Sequence, residues 1–378
     1  MNLRAVLVAA SVVMALGGCD CGRVGLPDER GEDGGIDDAG LAVVTVDAGR
    51  TSVLEAAVIA FNGDVLLLQL DGGSEVVASR ADAGAGMFQQ PRWDPTGTRL
   101  LFTDGERAFA READGTVHRL HASRLNTGAY DGKTTRAEWS PSGPWVALNG
   151  TDFSTDSDAL FVVADGGLPE LVAITRRWAW EAPGVLLYSS FDSNRSLHVT
   201  WRYDVATRDA GEAFEGQLFD TSSTGMAVLQ RVAPVADGGQ EETLLVRSPG
   251  GGVAPLLAAG APPMSFGRYD GVSLSPFGAE AAVRADAVLP SGATEYRVQR
   301  VSLEDAAQTT LSAQPSADAQ APLCLRFVPG GRWLSAVGGT PSPTLRLLAR
   351  DGGVTVVSSP ALGSVGDLGC LDWRLRPE

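Results

Sequence analysis

QPRWDPTGTRLLFTDG, residues 90–105, contains an apolar strand that ends in Trp93, then a tight turn, then a second apolar strand. The turn is Asp94-Pro95-Thr96-Gly97. Asp at the first position, Pro at the second and Gly at the fourth are typical of a type I turn, because Gly tolerates a positive φ. The same form recurs as WSPSG at 139–143, LSPFG at 274–278 and FVPGG at 327–331.

The spacing of these segments indicates a repeat. Pro95 and Pro141 are 46 residues apart, Pro276 and Pro329 are 53 apart, and a hairpin pattern follows each one. Most of the hairpins have Asp-Gly or Gly-Gly at the tip, the strongest short-range hairpin signal. Seven are predicted: Val65–Val77, Arg107–Leu120, Leu160–Val172, Leu197–Arg208, Thr243–Leu257, Tyr296–Leu311 and Leu345–Val357.

A pair of inner strands lies between consecutive hairpins. Two pairs, Trp178–Tyr188 and Phe219–Leu229, are degenerate copies of the motif, and the last pair is split between Val53–Phe61 and Leu371–Leu375. Four strands per repeat of this length are typical of a β-propeller. We therefore predict an all-β fold, a single propeller of four-stranded blades. Seven blades are expected, with six as the alternative, and the C-terminal strand closes the ring so that no open edge remains.

Four aromatic residues end the inner strands: Trp93, Trp139, Trp180 and Phe327. We expect them to pack between neighbouring blades as core. The alternative interpretation is a ring of aromatic side chains that stacks on a ligand.

The aromatic-Ser-Pro-x-Gly units, each followed by a strand and a hairpin, resemble the WD-like repeats of TolB-type propellers. Leu186–Asp204 is similar to a polar stretch of that family, with Phe191-Asp192 and Asn194-Arg195 at the matching positions. The resemblance implies a propeller over most of residues 53–378. It does not extend to the N-terminal domain of that family, because residues 19–52 lead straight into strands. Similar blades form the propellers of prolyl-oligopeptidase-type peptidases, but no hydrolase domain follows here.

The N-terminus carries the most specific signal. Arg4 is followed by the apolar segment Ala5–Ala15, which is too short to remain as a transmembrane helix. Leu16-Gly17-Gly18-Cys19 resembles a bacterial lipobox. That resemblance implies a signal peptide over residues 1–18 and a diacylated Cys19, and two acyl chains give stable membrane anchoring. An ordinary secretory signal is the alternative. Whether the anchor lies in the inner or the outer membrane stays open.

Residues 19–52 are rich in Asp and Gly and show no sustained period, so they are predicted to form a flexible tether. A chain of this length reaches roughly 30 Å. The propeller is assigned to residues 53–378. The net charge is −16, and the single lysine, Lys133, leaves the positive charge to Arg. Without a basic stripe, nucleic acid is not expected as a partner.

Catalytic motifs are missing from the sequence: there is no nucleophile elbow, phosphate-binding loop, dinucleotide fingerprint or zinc-protease helix. His118 and His121 do not converge if they lie on a strand, and His198 stands alone. Asp152, Asp156 and Asp158 could bind Ca²⁺, but their spacing does not fit an EF-hand, and a solvated acidic loop is the alternative. No catalytic residue, metal or cofactor is therefore predicted.

Cys324 precedes Phe327 by three residues, and Cys370 precedes Trp373 by three. These are equivalent positions on the two blades that meet where the ring closes. Export permits disulfides. We hypothesise a Cys324–Cys370 bond that locks this seam, with two buried thiols as the alternative.

Together these features predict a monomeric, lipid-anchored propeller of the bacterial cell envelope that binds or scaffolds an envelope protein. The loops after the second strands, 150–158, 190–196 and 285–294, are expected to contact this partner. A lyase or hydrolase that acts on a peptide or glycan at the central channel is the alternative from another class. A surface lipoprotein without a specific ligand is a further one.

Overall fold

The computed structural model of the protein describes residues 43–46, 50–60, 62–69, 73–120, 125–126, 131–152, 157–164, 167–234, 240–258, 264–266, 271–315, 322–329, 331, 333–338, 344–350, 353–357 and 371–377. These residues form seven antiparallel sheets, the blades of a β-propeller. The prediction of an all-β fold with seven blades is confirmed. None of the described segments is a helix long and apolar enough to cross a membrane.

Blades 1 to 4 are built from the first seventeen strands and the last one. Blade 1 contains β1 (Val43–Val46), β2 (Arg50–Ile59), β3 (Val65–Gln69) and β4 (Ser74–Ala78), and blade 2 contains β5 (Gln89–Trp93), β6 (Leu100–Thr103), β7 (Ala108–Arg111) and β8 (Val117–Arg119). Blade 3 contains β9 (Leu125–Asn126), β10 (Asp131–Trp139), β11 (Trp145–Asp152), β12 (Ser157–Ala164) and β13 (Glu170–Ala173), and blade 4 contains β14 (Arg177–Ala182), β15 (Val185–Asp192), β16 (Leu197–Asp204) and β17 (Asp209–Glu215).

The remaining strands follow the same order from the inside of the ring to the outside. Blade 5 contains β18 (Gln217–Thr221), β19 (Ala227–Pro234), β20 (Gln240–Arg247) and β21 (Val253–Ala258), and blade 6 contains β22 (Met264–Phe266), β23 (Val272–Leu274), β24 (Glu280–Val288), β25 (Thr294–Ser302) and β26 (Gln308–Pro315). Blade 7 contains β27 (Pro322–Phe327), β28 (Trp333–Gly338), β29 (Thr344–Ala349) and β30 (Val354–Val357), and the last strand is β31 (Asp372–Pro377).

The repeated turn joins the innermost strand of a blade to the second one, as predicted. In blade 2 the Asp94 carboxylate accepts hydrogen bonds from the backbone N–H of Thr98 and Arg99 at 2.8 and 3.0 Å. Gly97 donates its N–H to the Asp94 carbonyl at 2.9 Å with a φ of 70°. The turn therefore ends the inner strand, because it provides hydrogen-bond partners for backbone groups that no longer pair within the sheet.

The hydrophobic core lies between blades. Trp139 packs in one cluster with Leu101 of blade 2 and Val146 of its own blade, and Trp180 packs in the next with Leu160 of blade 3. Trp93 is buried in the cluster shared by blades 1 and 2, and Phe327 is partly buried against the cluster between blades 6 and 7. The prediction that these aromatic residues form the core between blades is confirmed.

The ring closes where β31 pairs antiparallel with β2. Trp373 lies opposite Ala56 and Leu375 opposite Leu54 in this pairing. Arg374 strengthens the junction, since its guanidinium donates to Glu55 Oε2 at 2.9 Å and to the Gly97 carbonyl at 3.0 Å. The same guanidinium stacks at 4.0 Å on the ring of a blade 2 residue, Trp93. The C-terminal strand thus completes the N-terminal blade, as predicted.

Two predicted boundaries differ from the structure. The boundary between tether and propeller at Val53 falls inside β2, which also pairs with β1, so the first sheet begins within residues 19–52. The predicted hairpin range Leu197–Arg208 ends too early, because 205–208 form the turn and β17 continues to Glu215. Asp204 accepts hydrogen bonds from Ala206 and Thr207 N–H, so this hairpin turns through an Asx-type turn and not through glycine.

The seam predicted to carry a disulfide includes Cys324, which is buried in the cluster shared by blades 7 and 1. Cys370 lies outside the described residues. The Cys324–Cys370 bond stays a prediction.

Gly278→Ala is expected to destabilise the propeller more than Gly292→Ala. Both glycines have positive φ, 67° and 80°, so alanine is strained at each position. Only at Gly278 would the added methyl group overlap the neighbouring blade, with Met226 Cγ at 2.8 Å and Ser222 Oγ at 2.9 Å, whereas Gly292 faces open space. Urea unfolding should show an extra loss of about 1–3 kcal/mol for Gly278→Ala. Equal losses in the two variants would contradict this account of blade packing.

Candidate functional site

The innermost strands surround a central channel with a cavity of about 570 Å³. In every blade, the innermost-strand residue that directly precedes the motif aromatic, or the residue in its place, lines this cavity. We call these seven positions the channel ring. From blade 1 to blade 7 they are Asp372, Arg92, Glu138, Ala179, Asp220, Ser273 and Arg326.

One half of the channel ring alternates in charge. Going round from blade 7, Arg326, Asp372, Arg92 and Glu138 follow one another. The Arg92 Nε lies 3.5 Å from Glu138 Oε1. A further cavity residue, Arg136, donates to the same oxygen from 2.8 Å. The positive and negative charges in this half of the channel ring therefore offset one another.

The arginines control the ionisation of Glu138. Burial opposes its charge, but the combined fields of Arg136, Arg92 and Arg326 outweigh burial and hold the pKa of Glu138 below its usual value. Burial, followed by the charge of Arg326, lowers the pKa of Arg92. Glu138 is accordingly an anion whose carboxylate is held in place by Arg92 and Arg136.

Asp220 and Asp372 differ from Glu138, because each accepts a hydrogen bond from a backbone N–H of the adjacent blade. Asp220 Oδ2 accepts the N–H of Leu274 at 2.8 Å, and Asp372 Oδ2 accepts the N–H of Trp93 at 2.8 Å. Burial raises the pKa of both carboxyl groups. The field of Arg92 opposes this rise at Asp372, and that of Arg326 opposes it at Asp220. Both groups therefore keep a proton to higher pH than an exposed aspartate.

The channel opens on two faces. We call the turn face the one that carries the Asp/Ser-Pro-x-Gly turns, whose Pro95, Pro141 and Pro276 line the cavity. We call the opposite one the hairpin face, because it carries the connections between the second and third strands of the blades. The hairpins of the sequence analysis, in contrast, join the third and fourth strands. At that mouth Arg176 Nε contacts Asp158 Oδ2 at 2.9 Å.

The three loops expected to contact a partner all follow second strands and so share the hairpin face. They correspond to the ends of β11, β15 and β24 and the connections that follow, of which 153–156 lies outside the described residues. Large apolar side chains are exposed at the ends of the second strands in three consecutive blades. Phe191 is 60% exposed, Val232 43% and Val288 41%. Contiguous exposed apolar patches mark interaction surfaces, whereas single exposed apolar side chains, such as Leu168 at 86%, occur elsewhere on this chain.

The histidines and the acidic loop considered as metal ligands are not brought together among the described residues. His118 lies 3.8 Å from Glu112, and Asp158 pairs with Arg176. His121, Asp156 and the side chain of Asp152 lie outside the description. No cluster of three or more metal-binding side chains occurs in the part of the chain that is described.

His198 packs edge-on against Phe191 at 5.3 Å near the hairpin face. Burial, with the charge of Arg177, lowers the pKa of this imidazole. His198 is thus a neutral neighbour of an exposed aromatic residue at neutral pH.

The channel ring was not predicted from the sequence. A signal was available, because in all seven blades the ring residue directly precedes either an inner-strand aromatic or the leucine or threonine in its place: Arg92 before Trp93 and Asp220 before Thr221 are examples. What the sequence lacks is the evidence that these polar residues face a lumen and not solvent.

No family model matches the sequence, and no curated protein matches it. The structure is similar to the propeller domain of the Trilobed protease from Pyrococcus furiosus, which has an open velcro topology (TM-score 0.54, 8% identity, 84% of this chain and 92% of that chain). It is also similar to an oligogalacturonate lyase solved with manganese (0.52, 11%, 82% and 84%). A candidate TolB protein from Agrobacterium tumefaciens matches at a TM-score of 0.43 (13%, 70% and 90%). At such identities these likenesses concern the fold alone.

Asp220→Asn and Glu138→Gln are expected to change the free energy of unfolding with opposite pH dependence. The pKa of Asp220 is raised above 3.8, so the wild-type chain loses stability as pH rises from 3.8 through that pKa, and the asparagine variant does not. The pKa of Glu138 is lowered below 4.5, so the wild type loses stability as pH falls from 4.5 through that pKa, and the glutamine variant does not.

Urea unfolding of the two variants and the wild type over a pH series measures both effects. The variant-minus-wild-type difference should increase with pH for Asp220→Asn above 3.8 and decrease with pH for Glu138→Gln below 4.5. The same slope for both variants would show that the channel does not separate the two carboxylates as described.

Proposed function

We propose that this chain is a monomeric, lipid-anchored β-propeller of the bacterial cell envelope that binds an envelope protein through its hairpin face, without catalysis. The observation that carries the proposal is the exposure of Phe191, Val232 and Val288 at equivalent strand ends of blades 4, 5 and 6. A protein partner that covers them would remove their apolar area from water, which is the main driving force for association.

The lipid anchor rests on the segment Leu16–Cys19, which lies outside the described residues. Acylation of Cys19 would hold the chain at a membrane, and residues up to the first strand would act as the spacer. A tethered propeller meets an envelope partner at high effective concentration, so a modest interface is sufficient for binding. The acidic chain, with a net charge of −16, supports a protein partner over nucleic acid.

The proposed Cys324–Cys370 disulfide fits this location, since an oxidising compartment would let it form at the seam of the ring. It would join blade 7 to the segment that leads into β31. No role in partner binding is assigned to it.

A second candidate function, a lyase or hydrolase that acts on a peptide or glycan in the channel, is favoured by one observation. Burial raises the pKa of both Asp220 and Asp372 within the same cavity, and raised carboxyl pKa values in a cavity are a feature of general acids. Each of these carboxylates also accepts a backbone N–H of the neighbouring blade, which explains its presence without catalysis. We therefore place binding first.

Crosslinking in cells that express the full-length chain tests the proposed interface. Phe191→Asp places a charge on the hairpin face, and the matched control Phe277→Asp does so on the turn face, where Phe277 is 43% exposed. One envelope protein should crosslink to the wild type and to Phe277→Asp, and at least about tenfold less to Phe191→Asp, as expected for loss of an interface anchor. Cys19→Ala should move the chain from the membrane pellet to the soluble fraction.

Equal crosslinking of Phe191→Asp and the wild type would contradict binding through the hairpin face. A Cys19→Ala chain that still sediments with membranes would contradict the lipid anchor. If no protein is crosslinked but the wild-type chain cleaves peptides or glycans and Asp372→Asn does not, the second candidate replaces the first.

A further inference from the structure

One carboxylate of the channel ring has no arginine beside it in the ring. Asp220 is the only ring carboxylate without an arginine at a neighbouring ring position, since Ala179 and Ser273 flank it in blades 4 and 6. Asp372, by contrast, lies between Arg326 and Arg92. Within the described part of the chain Asp220 makes no ion pair. The charge of Arg326, two ring positions away, acts on Asp220 but does not outweigh desolvation, so a cation placed directly beside this carboxylate would offset the remaining cost of its charge.

The Asp220 carboxylate is held in a fixed orientation. Its Oδ1 accepts the N–H of Thr221 at 2.9 Å, and its Oδ2 accepts the N–H of Leu274 at 2.8 Å. An ionised carboxylate offers about four acceptor sites, so two backbone donors leave acceptor capacity on both oxygens. Preorganised acceptors of this kind favour a ligand that only donates hydrogen bonds, as ammonium and guanidinium groups do.

The side chains around Asp220 leave room for such a group. Ala179 and Ser273 are small, while the corresponding ring positions of blades 2 and 7 hold arginines. A cavity of about 570 Å³ is within the usual range for a small ligand or a long side chain.

We propose that the channel binds a cationic group, an alkylammonium or a guanidinium, at Asp220 between Ala179 and Ser273. This site is separate from the protein-binding hairpin face and does not depend on it. The cationic group can belong to a free amine or to a lysine or arginine side chain of a peptide that enters the channel. Both sources share the chemistry that Asp220 recognises.

Calorimetric titration of the full-length chain in detergent tests the site with defined probes. Agmatine supplies both cationic groups, the capped peptide acetyl-Ala-Arg-Ala-amide supplies a side chain, and 1-pentanol is the uncharged control. Asp220→Asn removes the charge with little change in volume. The control variant Asp114→Asn removes a carboxylate that also accepts a backbone N–H but lies outside the cavity.

Agmatine or the peptide should bind the wild type and Asp114→Asn with dissociation constants within about twofold of each other. Binding to Asp220→Asn should be at least about tenfold weaker, as expected when one member of a buried charge pair is lost. Ser273→Arg provides a second variant in case Asp220→Asn folds poorly. Its guanidinium would occupy the position next to Asp220, as arginines do in blades 2 and 7, and should abolish probe binding.

Tighter binding of the peptide than of agmatine would assign the site to a basic side chain, and the reverse order would assign it to a free amine. Equal binding of agmatine to the wild type, Asp220→Asn and Ser273→Arg would overturn the proposal. So would binding of 1-pentanol as tight as that of agmatine, or no binding of either cation to a folded wild-type chain.

Discussion

The pairing of β31 with β2 is the constraint on which the rest of this structure depends. Strands from the two ends of the chain, Asp372–Pro377 and Arg50–Ile59, share one sheet. Because each core cluster contains residues of two neighbouring blades, no blade can bury its apolar side chains alone. A ring open at this seam would leave blades 7 and 1 each with one uncovered face. Closure therefore stabilises every interface, including those far from the seam in sequence.

Closure also creates the chemistry of the channel. It places seven side chains from seven different blades around one lumen, where their charges act on one another through a medium less polarisable than water. The pKa values of Glu138 and Asp220 consequently move in opposite directions, although both are ring carboxylates. The difference arises from the neighbours: Arg92 and Arg136 contact Glu138, whereas small residues flank Asp220. The identity of the seven ring side chains, and not the propeller fold, therefore determines what this channel can bind.

The sequence predicted the architecture well because the architecture depends on local signals. No three-dimensional information is needed to recognise the Pro-x-Gly turns, the aromatic residue before each turn and the split last repeat. The hairpin at Leu197 was misjudged because its turn uses the Asp204 side chain and a positive φ of 63° at Arg208 in place of glycine. The start of the propeller was misjudged because Val43–Val46 is short and flanked by Asp and Gly, which is typical of a linker.

The channel ring could not be predicted in the same way. Asp220 belongs to a degenerate repeat in which Thr221 replaces the aromatic residue, and an aspartate on an alternating strand usually faces solvent. Only the closed ring shows that it faces a lumen and that Ala179 and Ser273 are its neighbours. The exposed hairpin face is likewise a three-dimensional property, because Phe191, Val232 and Val288 look like ordinary strand residues in the sequence.

Hydrogen–deuterium exchange on the full-length chain and on a chain that ends at Leu371 tests the dependence on closure most directly. The shortened chain lacks β31, including the Asp372 acceptor of the Trp93 N–H and the Trp373 side chain between blades 7 and 1. We predict that backbone amides lose protection in β2 and β5 and then in the innermost strands of the other five blades. Loss of protection confined to β2, with the other blades as protected as in the full-length chain, would contradict the claim that the ring is stabilised as one closed unit.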